Sequence, residues 1–174
     1  MKRIITCALL MVLAACSPTQ AVPAKPDKLP VIAAGVKADR IMVDKSDRIM
    51  ILYKAGREIA RYSNFQLGDA PSGHKQFEGD EKTPEGSYTI SGRNPGSSYH
   101  LSLRISYPNA ADRAFAKSKG KSPGGDIFIH GQPNGYPGPT IRRDWTDGCI
   151  ALSNAEIEQL WKIIPDGAVI TIRA

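Results

Sequence analysis

The 174-residue sequence predicts a mainly β fold, a β-sandwich of antiparallel or mixed sheets with one or two short helices. Three observations carry that expectation. Sixteen glycines and thirteen prolines supply more turns than a helical bundle uses. Most regular segments are short apolar or alternating runs that end at Gly, Pro, Asn or Asp. Only two stretches carry the start and stop signals of a helix. With 41% hydrophobic and 23% charged residues, the chain can build one core, and its length suits one domain with appendages.

The first residues read as an export signal. Lys2 and Arg3 form a basic head, and Ile4 to Ala14 an apolar run too short to span a bilayer as a helix. Leu13-Ala14-Ala15-Cys16 resembles a bacterial lipobox, in which cleavage precedes a cysteine that is then lipidated. Residues 1–15 are therefore expected to be a lipoprotein signal peptide and Cys16 the lipidation site. The expected location is the periplasm, with the chain lipid-anchored to the cell envelope and to the membrane through Cys16. Ser17, rather than Asp, follows the cysteine, a pattern that in Gram-negative lipoproteins resembles sorting to the outer membrane. Residues 16–37 hold Pro18, Pro23, Pro26 and Pro30 and read as an extended linker. At roughly 3 Å per residue it spans a few tens of Å. Residues 38–174 are left as the folded domain.

Within that domain, Arg40 to Asp44 and Arg48 to Tyr53 read as two strands around Lys45-Ser46-Asp47, and Glu58 to Phe65 as a third. Leu67 to Gly86 is rich in glycine and charge and reads as a loop. Ser87 to Ser91 is a short strand. Leu101 to Tyr107 places Leu101, Leu103, Ile105 and Tyr107 on one face, which is strand periodicity. Asn109 can cap a helix over Ala110 to Lys119 that Gly120 stops. Ile127 to His130 and Cys149 to Leu152 are apolar strands. Ser153 and Glu156 have the spacing of a capping box, and the helix they open carries Ile157, Leu160, Trp161 and Ile164 on one stripe. Pro165-Asp166-Gly167 ends it, and Val169 to Ile172 is the last strand.

The net charge of +6 includes Lys2 and Arg3 of the signal. No arginine-rich run is present, so the charge reads as a surface suited to anionic envelope polymers or lipid head groups, or as plain solubility, rather than to nucleic acid. Cys7 leaves with the signal and Cys16 takes lipid, so Cys149 is the free thiol expected in the mature chain, which cannot close an internal disulfide. A lone thiol in an oxidising compartment points to catalysis.

Two segments carry the candidate chemistry. Asp126-Ile127-Phe128-Ile129-His130-Gly131 delivers a histidine at a strand end. Thr146-Asp147-Gly148-Cys149-Ile150-Ala151-Leu152 delivers a cysteine directly after a glycine. A free thiol has a pKa of about 8.5, so an adjacent imidazole is needed to make it a nucleophile at neutral pH. The Gly148 and Cys149 N–H groups can point into one space, the makings of an oxyanion hole. Gln132 to Asp144 is a Gly- and Pro-rich loop able to bring the two segments together. His74, His100, His130 and Cys149 match no compact metal spacing, so no metal and no other cofactor is expected.

The spacing from His130-Gly131 to Thr146-Asp147-Gly148-Cys149 resembles the signature of YkuD-type L,D-transpeptidases, and Thr83-Pro84-Glu85-Gly86-Ser87-Tyr88 is similar to that family's Thr-Pro-x-Gly-x-aromatic element. The resemblance runs from about Asp39 to Ile172. It implies a YkuD-like sandwich and a thioester formed on Cys149 from peptidoglycan stem peptides, with His130 as base and proton donor. It further implies Gly148 as an oxyanion donor, a carbonyl at Gly131 that orients His130, and support of the site by Thr146. Ala151 stands where many members carry arginine, and the sequence is more similar to the YafK-like branch, which includes a hydrolase of the bond between murein and lipoprotein. Transfer and hydrolysis (carboxypeptidase, endopeptidase, or amidase on a murein–protein link) are thus both open. The rival from another class is a non-catalytic murein-binding lipoprotein. Arg93, His100, Tyr107 and Trp145 are candidates for substrate binding, with a surface or packing role as the alternative for each. A monomer is expected.

Overall fold

The computed structural model describes residues 28–174. The expected signal peptide, Cys16 and the linker up to residue 27 lie outside the described residues. Eight strands and two helices follow one another as β1 (Arg40–Asp44), β2 (Ile49–Lys54), β3 (Arg57–Ser63), β4 (Gly86–Asn94), β5 (Ser102–Ile105), α1 (Ala110–Ser118), β6 (Phe128–His130), β7 (Ile150–Ala151), α2 (Asn154–Ile163) and β8 (Val169–Arg173). The fold is mainly β, as the turn count and strand periodicity predict. The strands form one mixed sheet in the order β3-β2-β1-β8-β4-β5-β6-β7. Pairing is parallel for β1 with β8 and β6 with β7, and antiparallel elsewhere.

Strand β4 joins the two halves of the sheet. Gly86 to Thr89 pair with β8, and Ile90 to Asn94 pair with β5 after an irregularity between Ile90 and Gly92. Such an irregularity bends a strand and raises its twist. The sheet curls until its two edges meet. Just after β3, Gln66 exchanges two backbone hydrogen bonds of 2.9 Å with Ala151 of β7. Side chains from both halves fill the curl, among them Ile41, Leu52, Ile90, Leu103, Ile129 and Ile150. Leu160 and Ile157 of α2 complete this core, and both are fully buried.

Both helices start where their capping residues predict. The Asn109 side chain accepts the Ala111 and Asp112 N–H groups, and Asp112 Oδ2 accepts Asn109 N–H at 2.8 Å. Ser153 and Glu156 do the same for α2. Such caps contribute about 1 kcal/mol each. Helix α1 buries only Asp112 and Ala116 and turns the rest of its surface outward. The end of the expected linker lies against α2, where Gln159 Nε2 donates to Pro30 O at 2.7 Å.

The segment between β3 and β4 has little regular structure but many anchors. Buried Lys45 donates to Gly73 O at 2.6 Å, to Thr83 O at 3.2 Å and to Glu85 Oε1 at 2.7 Å. Lys75, also buried, pairs with Asp80 Oδ1 at 2.8 Å. Asp80 in turn accepts the N–H groups of Gln76, Phe77 and Lys82. Phe65 and Leu67 anchor the start of this segment in the core, and these charge-assisted bonds hold its polar remainder in place.

Candidate active site

Strands β6 and β7 bring His130 and Cys149 to one cleft. Ile129 pairs with Ile150, and both are fully buried in the core. Alternation along each strand then sets His130 and Cys149 toward the other face. The cleft holds about 470 Å³ and is lined by both residues, by Tyr99, Phe128, Trp145, Thr146 and Asp147, and by Asn94, Ser97, Ser98 and Ser102 at its polar end.

His130 is buried, and its Nδ1 lies 2.7 Å from Gly131 O. A carbonyl oxygen only accepts, so Nδ1 carries the proton and donates it. The neutral ring then has its lone pair on Nε2, free to accept a proton. Burial holds the His130 pKa below the usual value of 6.5, with the Gly131 bond opposing it. The ring is therefore neutral at pH 7. Its orientation is fixed further by Tyr99, whose ring centroid is 4.7 Å away, and by Trp145 at 5.6 Å. Gly131 is itself pinned: its N–H reaches Tyr99 O at 3.0 Å and Leu101 O at 3.2 Å. A Cβ there would lie 2.6 Å from Asn154 Oδ1.

The Cys149 sulfur accepts the Phe128 N–H at 3.4 Å and lies 3.5 Å from Asp126 O, to which the thiol donates. Among the described residues no hydrogen bond joins it to His130. As a residue Cys149 is only partly covered, yet the protein packed around the thiol is dense. Burial pushes its pKa up to about 11, with Asp147 and Asp126 adding to the rise and the Phe128 amide and Lys75 opposing it. The resting sulfur is a thiol, and it needs a base.

Thr146 Oγ1 donates to Cys149 O at 2.8 Å and accepts Gly148 N–H at 3.3 Å. In the resting site the Gly148 amide, the expected oxyanion donor, is thus turned to Thr146 Oγ1. The Cys149 N–H makes no hydrogen bond among the described residues. The loop carrying these groups is tied down at Asp144. Arg48 donates to both its oxygens, at 2.6 and 2.7 Å, and Leu67 N–H reaches Oδ1 at 2.9 Å. Burial pushes the Asp144 carboxyl up, but the Arg48 and Leu67 bonds outweigh it and hold it below the usual carboxylate value. Trp145 and Thr146 N–H groups then both reach Leu67 O. Asp144→Ala leaves the Leu67 amide without an acceptor and Arg48 with only Phe65 O, at 3.3 Å. Both ion-pair partners are about three-quarters buried, so a loss of about 2 kcal/mol is expected in urea unfolding.

Of the four substrate-binding candidates, only Trp145 lines the cleft. Arg93 is corrected to a helix-end role. It donates to Trp161 O, Ile164 O and Asp166 Oδ1 at the C-terminus of α2 and covers the Trp161 ring, so each guanidinium nitrogen has a partner there. His100 turns away to Glu158 on α2, 2.7 Å from Oε1. Tyr107 is buried, with its hydroxyl on Pro123 O at 2.9 Å. The sequence reading missed Tyr99, and it missed Asn134, whose side chain holds the Tyr99 loop through Ser97 O and His100 N–H, each at 3.0 Å. It also missed Gln132, which bonds Leu152 O at 2.7 Å and Ile141 N–H at 2.9 Å across the loop. Among the described residues no group of three or more His, Cys, Asp or Glu is gathered as a metal site.

The lowered His130 pKa has a consequence for stability. The unfolded chain binds a proton near pH 6.5 and the folded chain resists it, so stability falls as pH drops below about 6.5. Urea midpoints between pH 7.5 and 5 are expected to fall more for the natural chain than for His130→Asn, which has no proton to gain there.

Comparison with known proteins places this geometry in a family. Residues 38–172 match the YkuD family, described as the L,D-transpeptidase catalytic domain. The Escherichia coli (strain K12) protein named "Putative L,D-transpeptidase YafK" is 29% identical over 135 residues, 74% of this chain and 48% of that protein. The chain thus matches about half the length of this curated relative. The helical cell shape determining protein Pgp2 of Campylobacter jejuni shares the fold with a TM-score of 0.62 and 29% identity, over 87% of this chain and 52% of that one. Bdellovibrio bacteriovorus Bd1075 gives 0.54 and 27%, over 83% and 51%. An L,D-transpeptidase from Mycobacterium smegmatis, at 15% identity over 79% of this chain and 59% of that one, shares the fold with a TM-score of 0.51. The chain belongs to the YkuD family of L,D-transpeptidase catalytic domains.

Proposed function

We propose that this chain is a cysteine-dependent acyltransferase acting on peptidoglycan stem peptides, with Cys149 as the nucleophile and His130 as its base. The observation that carries the reading is the state of His130. It is neutral, its Nδ1–H is spent on Gly131 O, and it lines the same cleft as a protonated Cys149. The thiol rotates from Asp126 O toward Nε2 and gives up its proton. The thiolate attacks the carbonyl carbon between an L- and a D-centre of the stem, and the Cys149 N–H stabilises the oxyanion. The protonated Nε2 hands its proton to the departing D-residue amine, which leaves a thioester. His130 then takes a proton from the incoming amine, which attacks the thioester and frees Cys149. The name of the Campylobacter jejuni neighbour as a cell-shape protein supports a wall-directed role. The lipobox-like Cys16 supports a periplasmic enzyme held on the envelope by lipid.

The test is a purified chain incubated with a disaccharide tetrapeptide, with and without an excess of a free D-amino acid, followed by mass spectrometry. The expected result is release of the terminal D-residue, an acyl adduct on Cys149 and incorporation of the added D-amino acid. Accumulation of tripeptide alone in the presence of acceptor would assign hydrolysis instead of transfer. Absence of both adduct and product would overturn the enzymatic reading and favour a murein-binding protein.

A further inference from the structure

A second surface lies outside the cleft and takes no part in its chemistry. Phe115 on α1 is 40% exposed, and its ring stacks on Phe77 from the β3–β4 segment with centroids 5.9 Å apart. Two lysines frame the pair: Lys119 Nζ lies 5.8 Å from the centre of the Phe115 ring and Lys121 Nζ 4.6 Å from that of Phe77. Arg113 and Lys117 are exposed on the same short stretch of chain. The one acid of α1, Asp112, is turned inward to His74 and Tyr88 and does not offset these charges at the surface. The exposed acid nearest in sequence to Phe77 is Glu78.

We propose that this face docks the domain on the surface of a bilayer containing anionic phospholipid. Cationic side chains around an exposed aromatic ring, here Phe115 backed by the half-buried Phe77, are a composition that seats protein at a lipid–water boundary. The Phe115 ring enters the head-group layer, and the ammonium groups stay at the phosphates. Charge complementarity favours an anionic leaflet over a neutral one. The expected lipid on Cys16 supplies reach. Eleven residues lie between it and Lys28, twelve Cα steps that span about 40 Å when extended. A folded unit of this length is about as wide, so the tether lets this face meet the same membrane. Gly125 and Asp126, which line the cleft, follow Lys121 closely in the chain, so docking would hold that rim of the cleft near the membrane surface.

The test uses residues 16–174 with Cys16→Ser, which keeps every described element and carries no lipid. Co-sedimentation is measured with vesicles of phosphatidylcholine alone and with about 30% phosphatidylglycerol added. The natural face is expected to bind only the anionic vesicles, and less at high salt. The double variant Lys119→Glu, Lys121→Glu is expected to lower partition at least about ten-fold. Phe115→Ser lowers it as well, and far-ultraviolet circular dichroism checks that both variants fold. Release of D-residues from soluble muropeptides is expected to be unchanged in both, which separates this proposal from the catalytic one. Equal partition of natural and variant chains, no binding to anionic vesicles, or binding only to a soluble polyanion such as heparin would overturn it.

Discussion

His130→Gln is expected to lower acylation of Cys149 by a stem peptide about 10³- to 10⁴-fold at pH 7, and Cys149→Ala to abolish it. The magnitude comes from the thiol. With its pKa raised to about 11, Cys149 is ionised in roughly one molecule in 10⁴ at pH 7. Without a base, only that fraction reacts. In the proposed mechanism a neutral His130 with its Nε2 free couples proton transfer to attack, so the rarity of the thiolate would cease to matter. Two pH profiles separate this from a resting thiolate–imidazolium pair. Alkylation of the natural chain by iodoacetamide is expected to be slow at pH 7 and to climb toward about pH 11 as thiolate forms. Acylation by substrate is expected to level off early, once His130 has lost its proton, below about pH 6.5. Rapid alkylation at pH 6 would show a preformed ion pair and defeat this account.

The histidine and cysteine were legible because each sits in a local pattern, a strand ending in His-Gly and a strand opening after Gly-Cys. Helix starts were legible for the same reason, whereas strand limits were less so: β4 runs over Gly86–Asn94, well past the expected Ser87 to Ser91, and β5 only over Ser102–Ile105. Asn109 as a cap and Ser153 with Glu156 as a capping box are local signals, and both helices begin where they predict. The sequence reading failed where partners are distant in the chain. Arg48 and Asp144 are separated by 96 positions, and nothing near either foretells their bidentate pair. Arg93 read as a carboxylate binder because arginine often is one. The carboxylate it meets is Asp166 of the same chain, beside the Trp161 and Ile164 carbonyls some 70 positions away at the end of α2. The curl of the sheet was equally hidden. It depends on β4 serving two neighbours and on Gln66 meeting Ala151, and no local periodicity encodes either.

Gly68 belongs to that hidden class, and replacing it is expected to damage both the fold and the site. A Cβ on Gly68 would lie 1.9 Å from Glu81 O and 2.9 Å from Gly148 N. Both neighbours are backbone, so no side-chain rotation relieves the clash. Gly148 abuts the same wall from the other side. Its Cβ would fall 2.4 Å from Lys82 O, and its φ of +119° is one that an L side chain rarely adopts. The 81–82 backbone is held in place by Asp80, which accepts Lys82 N–H at 3.1 Å and pairs with buried Lys75. The Cys149 loop is thus cast against a fixed strip of chain just upstream of Thr83-Pro84. Gly68→Ala is expected to cost about 3 kcal/mol in urea unfolding, and Gly148→Ala at least as much. Gly92→Ala serves as the control, since its Cβ meets nothing within 4 Å, and should stay within about 0.5 kcal/mol of the natural chain. Under conditions where each variant is still folded, Gly68→Ala should also slow Cys149 acylation while Gly92→Ala should not. The wedge moves the Gly148 amide and with it the sulfur's path to His130. If Gly68→Ala is as stable and as fast as Gly92→Ala, the wall yields, and the position of Cys149 is set by Thr146 and Asp144 alone.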